Sequence, residues 1–168
     1  MNPGPDMTVR CGDGFISMRV GAIIVKDGKF LMVRNDEQDY YYSVGGRIRF
    51  GETAEEAVIR EVLEETGAEM EVDRLGFVNE NYFIGDSRSN WGKLVYETAY
   101  YFYMKVPENF EPICKSVSGD GAEEHLQWVG ADEPRAIFPD FFRTEILHPE
   151  RGVKFFREDG RSLLSDDK

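Results

Sequence analysis

The chain's 168 residues weigh 19.3 kDa and are 41% hydrophobic and 31% charged, the composition of one ordinary globular domain able to hide about 70% of its unfolded surface. Its 32 acidic and 20 basic side chains leave a net charge of −12, a field that repels nucleic-acid polymers and anionic lipid. The aliphatic run Val20–Val25 falls far short of the ~20 residues of a membrane helix, and the start, Met-Asn-Pro-Gly-Pro-Asp, lacks the basic and apolar blocks of a secretory signal. A cytoplasmic location is therefore expected, with Cys11 and Cys114 as thiols, since they have no CxxC spacing.

Residues 1–7 read as a loose tail. Met18–Val25 and Lys29–Arg34 read as apolar strands joined by a hairpin turn at Lys26-Asp27-Gly28-Lys29. Tyr40–Val44 is a short strand entering Gly45-Gly46. Thr53-Ala54-Glu55-Glu56 has the spacing of a capping box and predicts a helix from about residue 54, closed by Gly67 as a left-handed cap. Glu69–Phe83 and Lys93–Val106 are rich in β-branched and aromatic residues and predict two long strands around a polar turn. Residues 107–122 read as a loop, His125–Val129 as a last strand, Pro139–Leu147 as a second helix with an aromatic face, and residues 165–168 as a frayed end. No repeat or linker divides the chain, so one domain over 1–168 is expected.

On a helical wheel, Val58, Ile59, Val62 and Leu63 form an apolar arc, while Glu61, Glu64 and Glu65 crowd an adjacent arc beside Ala54 and Ala57. Glu61 and Glu65 are a like-charge i,i+4 pair, costing about 0.2–0.5 kcal/mol. All three acids sit in the last two turns, where the helix dipole disfavours anions. Clustered carboxylates are hard ligands for Mg²⁺, Mn²⁺ or Ca²⁺, and such an ion reverses the repulsion; a solvated Glu-rich face is the alternative. The preceding loop, Gly45-Gly46-Arg47-Ile48-Arg49-Phe50-Gly51-Glu52, offers carbonyls to a cation and amides to an anion, and Arg47 and Arg49 could take phosphate oxygens.

From Gly46 the segment runs Gly-x5-Glu52-x7-Arg60-Glu61-Val62-x-Glu64-Glu65-x-Gly67-Ala68, which matches the Nudix box at every fixed position. At about 7% per residue type, chance gives such a match on the order of 10⁻⁸ per starting position. The sequence therefore resembles the Nudix hydrolases, enzymes that hydrolyse a nucleoside diphosphate linked to another group. The resemblance extends to the order of strands, the second helix and the Glu123-Glu124-His125-Leu126-Gln127-Trp128-Val129 stretch. It implies an α/β fold, an α/β/α sandwich with a central mixed sheet.

The resemblance also implies roles. Glu61, Glu64 and Glu65 match the acids that hold Mg²⁺ or Mn²⁺, with the carbonyl of Gly46 completing that set. Glu52 and Arg60 match a structural ion pair. The general base is either Glu64 or an acid before the last strand, Glu123 or Glu124, where the glycines of segment 119–124 would let a loop close over substrate. Val44 and Phe50 depart from the family's usual residues without removing a ligand. Tyr40, Tyr41, Tyr42, Tyr82, Phe83, Tyr96 and Tyr100 supply aromatic surface for a base, with Tyr82 the substrate-binding candidate beside Arg47 and Arg49. Glu80-Asn81-Tyr82-Phe83 with Glu97 is similar to bacterial members of unassigned substrate. His125 and His148 lack zinc-ligand spacing.

The implied partner is a small nucleotide, with no nucleic-acid polymer and no membrane; a homodimer is left open. A nucleotide-binding sensor without turnover is the alternative function, and the three retained acids favour the enzyme. Isoprenyl diphosphate isomerisation on the same fold needs a placed cysteine, and neither Cys11 nor Cys114 is anchored to such a motif.

Overall fold

The computed structural model describes residues 4–36, 38–87, 89–113, 121, 123–147, 149–150 and 152–164. Cys114, His148, most of segment 114–122 and the last four residues lie outside the described residues. The chain opens with a hairpin that the residue pattern does not announce, β1 (Thr8–Cys11) against β2 (Gly14–Ile23). For residues 5–7 the expected loose tail is also corrected. The Phe50 amide donates to the Pro5 carbonyl at 2.9 Å and the Met7 amide to the Ile48 carbonyl at 2.7 Å, which clamps residues 5–7 on the loop ahead of the first helix.

After β2 the chain leaves one sheet for another at Ile24, which is fully buried and whose carbonyl accepts from the Leu31 amide. β3 (Val25–Lys26) and β4 (Lys29–Asn35) then form the expected tight hairpin. Asp27 and Gly28 both sit at positive φ, 51° and 73°, the pair of angles that a two-residue turn between right-twisted strands requires. β5 (Tyr40–Ser43) and β6 (Gly45–Arg47) follow, then α1 (Ala54–Thr66), β7 (Glu71–Ile84) and β8 (Leu94–Lys105). The expected last strand is β9 (Glu124–Val129), but two more come after it, β10 (Ala136–Phe138) and β11 (Lys154–Asp159).

One sheet has the order β1-β2-β8-β7-β11, with β6 also paired to β2. It is mixed, because β2–β8 and β7–β11 run parallel and its other pairs antiparallel. The smaller sheet has the order β10-β5-β4-β3, with β9 along the other side of β4. Among the described residues the core falls into two clusters. In one, Val20, Ala22 and Phe102 from the large sheet meet Ala57, Val58 and Val62 of α1. In the other, Phe77, Tyr101 and Tyr103 meet Phe141, Phe142 and Ile146.

This is the expected α/β sandwich around a mixed sheet, with a second helical layer much shorter than predicted. Only Phe142–Glu145 is α-helical (α2). Around it Phe142, Arg143 and Thr144 donate to the carbonyls three residues earlier, the tighter winding of a 3₁₀ turn. Aromatic packing sets the segment: Phe141 stacks on Phe156 of β11 with centroids 4.4 Å apart, and Phe142 is fully buried. Among the described residues no helix is long and apolar enough to cross a membrane.

Candidate active site

The paired glycines before α1 press backbone against acid side chains. Gly45 has φ 141°, and a Cβ there would lie 2.2 Å from the Val20 carbonyl oxygen, so no other residue fits without moving β2. Its N–H donates to Glu65 Oε1 at 3.1 Å. A Cβ on Gly46 would sit 2.5 Å from the Glu61 carboxyl carbon, so the Gly46 backbone and the Glu61 carboxylate occupy one cradle.

The helix carrying these acids is fixed at both ends. Thr53 Oγ1 accepts the Glu56 amide at 3.2 Å, Glu56 accepts the Thr53 amide at 2.8 Å, and Gly67 closes the helix at φ 73°. Its roll differs from the wheel reading. Ala57, Val58, Val62 and Glu65 are buried, whereas Ile59 and Leu63, assigned to the apolar arc, are 38% and 43% exposed. The acid-bearing side of α1 lies against β6, where Gly46 meets Glu61 and the Gly45 amide meets Glu65, so Glu65 goes inward and Ile59 and Leu63 go to solvent.

Burial governs the acids. Glu65 is 9% exposed, and desolvation raises its pKa well above the usual carboxylate range; the Gly45 amide opposes the shift while Glu61 and Glu124 reinforce it. Its Oε2 is buried without a hydrogen-bond partner among the described residues. Desolvation also raises Glu61, against the contrary pull of Arg60. Glu64 is 47% exposed at the rim, 3.5 Å from Arg49 Nη1 and 3.2 Å from Arg60 Nη1. A buried oxygen with no donor, a second, partly buried carboxylate and a glycine backbone pressed on it form a hard oxygen donor set that fits a divalent cation.

Arg60 ties this set to the loop. Its Nε and Nη2 donate to both oxygens of Glu52 at 3.1 and 2.7 Å, Nη1 donates to Glu61 at 2.6 Å, and Nη2 also reaches the Arg47 carbonyl at 3.1 Å. Glu52 additionally accepts the Arg49 amide at 2.7 Å. The bidentate hydrogen bond from Arg60 holds Glu52 below the ordinary carboxylate range, outweighing its desolvation.

The other candidates are distributed more widely. Glu124 lies on β9, opposite Asn35 of β4, and accepts the Tyr42 hydroxyl at 2.8 Å. Glu123 groups instead with Asp36 and His125, whose ligand atoms lie within 4.8 Å of one another at an exposed rim. Arg49 reaches Glu64, while Arg47 is 3.5 Å from Asp6. Tyr82 packs on Tyr96 with centroids 4.8 Å apart, below Arg161. Along the sheet it aligns with Ile16, whereas β6 pairs with Arg19–Gly21, an offset of about 10 Å or more at ~3.3 Å per residue.

Two groups near the acids are not among the candidates that the sequence suggests. Arg19 on β2 lies 3.9 Å from Glu97. Desolvation opposes its charge, but Glu97, Tyr101, Glu65 and Glu61 raise its pKa. A charge inside Met18-Arg19-Val20-Gly21-Ala22 is the available signal. Tyr42 stands in the sequence only as one of several aromatics, and its link to Glu124 depends on two strands that meet through β4.

The family model for the NUDIX domain matches residues 17–148. A MutT-like protein of Streptomyces ambofaciens is 39% identical over 61 residues, 36% of this chain and 40% of that relative's length. The fold superimposes on a MutT protein of Bacillus halodurans with a TM-score of 0.59 at 21% identity, covering 84% of this chain and 89% of the other. It superimposes on a UDP-X diphosphatase with a TM-score of 0.56 at 22% identity, covering 83% and 66%. At these identities the structural likeness is one of fold, whereas the domain match spans most of the sequence and includes the whole box: the chain belongs to the NUDIX family.

Proposed function

We propose that the protein is a pyrophosphohydrolase that cleaves a nucleoside diphosphate joined to another group, with Mg²⁺ or Mn²⁺ as cofactor. The observation that carries this reading is the buried Glu65, whose Oε2 has no hydrogen-bond partner among the described residues, beside Glu61 and the Gly46 backbone. Keeping such a carboxylate buried is costly unless a cation completes it.

Glu61, Glu65 and the Gly46 carbonyl would hold the ion, with Glu64 at its solvent side. When bound, the cation supplies charge neutralisation for the phosphate oxygens and acidifies the attacking water. Arg49, fixed near Glu64, and the exposed Arg47 supply positive charge for the phosphate oxygens. Of the acids that could accept the water's proton, Glu64 is open to solvent and Glu124 faces Glu65 closely enough to raise its proton affinity. Glu123 is held in a different group, with Asp36 and His125. Arg60 and Glu52 act on geometry, keeping the loop on the helix.

A panel of nucleoside triphosphates, nucleoside diphosphate sugars and dinucleoside polyphosphates, incubated with Mg²⁺ or Mn²⁺, tests the proposal. Phosphomonoester products from at least one class are expected, and none in excess chelator. Tight nucleotide binding without cleavage would replace the enzyme with a sensor, and full turnover in chelator would remove the cation from the mechanism.

A further inference from the structure

The geometry points to Tyr42 as the positioning residue that holds the Glu124 carboxylate on the face of the small sheet that packs toward α1 and its box acids. The inference rests on the reading of the Glu61–Glu65 centre as the catalytic site and adds to it a residue that no part of the box encodes. Tyr42 is on β5 and Glu124 on β9, and both strands flank β4: Tyr42 stands opposite Val33 and Glu124 opposite Asn35. The Tyr42 hydroxyl donates to Glu124 Oε1 at 2.8 Å. Asn35, opposite Glu124 on the strand between them, is 7% exposed.

The ring itself is well held. Tyr42 packs against the core cluster that contains Val58 and Val62 and meets Tyr40 edge to face at 6.2 Å. A phenylalanine would fill that space equally well, so packing does not account for the hydroxyl. A glutamate has three rotatable side-chain bonds, and facing another carboxylate it is repelled toward solvent. A rigid phenol donating to one of its oxygens opposes that swing and fixes where the carboxylate stands relative to Glu65. Tyr42 touches neither substrate nor cation in this account and acts only through Glu124.

The test compares the full chain with Tyr42→Phe, Glu124→Gln and the double variant by thermal melting, by Mn²⁺ binding from the EPR signal of free Mn²⁺, and by kcat and KM on any substrate that the panel yields. Tyr42→Phe is expected to keep its Tm within about 2 °C. It should bind Mn²⁺ as the parent does and lose about tenfold or more in kcat with little change in KM. The double variant should be no worse than Glu124→Gln alone.

Parental kcat in Tyr42→Phe, with Glu124→Gln impaired, would overturn the assignment and leave the acid centre standing. A fall in Tm matching the fall in activity would make the hydroxyl structural and also overturn it. If the parent chain binds no Mn²⁺, the reading of the centre itself fails and takes this inference with it.

Discussion

Glu65 accepts the Gly45 amide through Oε1 at 3.1 Å, while its Oε2 is buried with no hydrogen-bond partner among the described residues. Half of this carboxylate is stabilised by the protein and half is not. Replacing it with glutamine removes a charge that is costly to bury. At about pH 8, Glu65→Gln should therefore melt at the same temperature as the metal-free parent or higher. Mn²⁺ should raise the Tm of the parent and have little effect on the variant. Differential scanning calorimetry of both proteins, with and without Mn²⁺, gives the comparison.

Gly46→Ala should separate folding from cation binding. Its new Cβ would meet the Glu61 carboxylate, the movable end of a side chain, rather than backbone. The variant should fold, with Mn²⁺ affinity reduced about tenfold or more as Glu61 is pushed aside. Gly45→Ala should fare worse, because φ is 141° and the obstacle is the Val20 carbonyl. Circular dichroism and Mn²⁺ titration of the pair should therefore rank them in opposite ways: Gly46→Ala folded but weak-binding, Gly45→Ala impaired in folding itself.

The Glu52–Arg60 pair should appear in the acid limb of stability. Arg60 holds Glu52 below its usual 4.5, so the folded state favours the ionised form. That contribution is fully present above the unfolded pKa and is lost as pH falls through the depressed folded value. Glu52→Gln should thus be less stable than the parent at neutral pH, with the gap narrowing below about pH 4.5. Arg60→Ala should cost more, about 3–5 kcal/mol, because it leaves the half-hidden Glu52 and Glu61 carboxylates without their shared cation. Urea denaturation across pH measures both.

Features written in adjacent residues are legible from the amino-acid order alone. Thr53 and Glu56 form their reciprocal cap, Asp27-Gly28 makes its tight turn, Gly67 closes the helix at positive φ, and the Gly46 backbone lies against the Glu61 carboxylate. What is not legible depends on partners far along the chain. Ala136–Phe138 is too short to show a period, and Lys154–Asp159 carries charges on an edge strand where alternate residues face solvent. The roll of α1 is hidden too, since Ile59 and Leu63 look like core residues while the structure exposes both and buries Glu65 against the Gly45 backbone instead. Tyr42 and Glu124 meet only because β5 and β9 both pair with β4, a relationship set by strand register rather than by local spacing.

We predict that pyrophosphate cleavage depends on a cation held by Glu61 and Glu65. The most direct test is Mn²⁺ binding, followed by the EPR signal of free Mn²⁺, in the parent and in the Glu61→Gln/Glu65→Gln double variant. Hydrolysis is measured on the same samples. The parent should show at least one bound Mn²⁺ that the folded double variant lacks, with turnover falling about 10²-fold or more in step with that loss. A folded double variant that binds Mn²⁺ and cleaves substrate as the parent does would contradict the account.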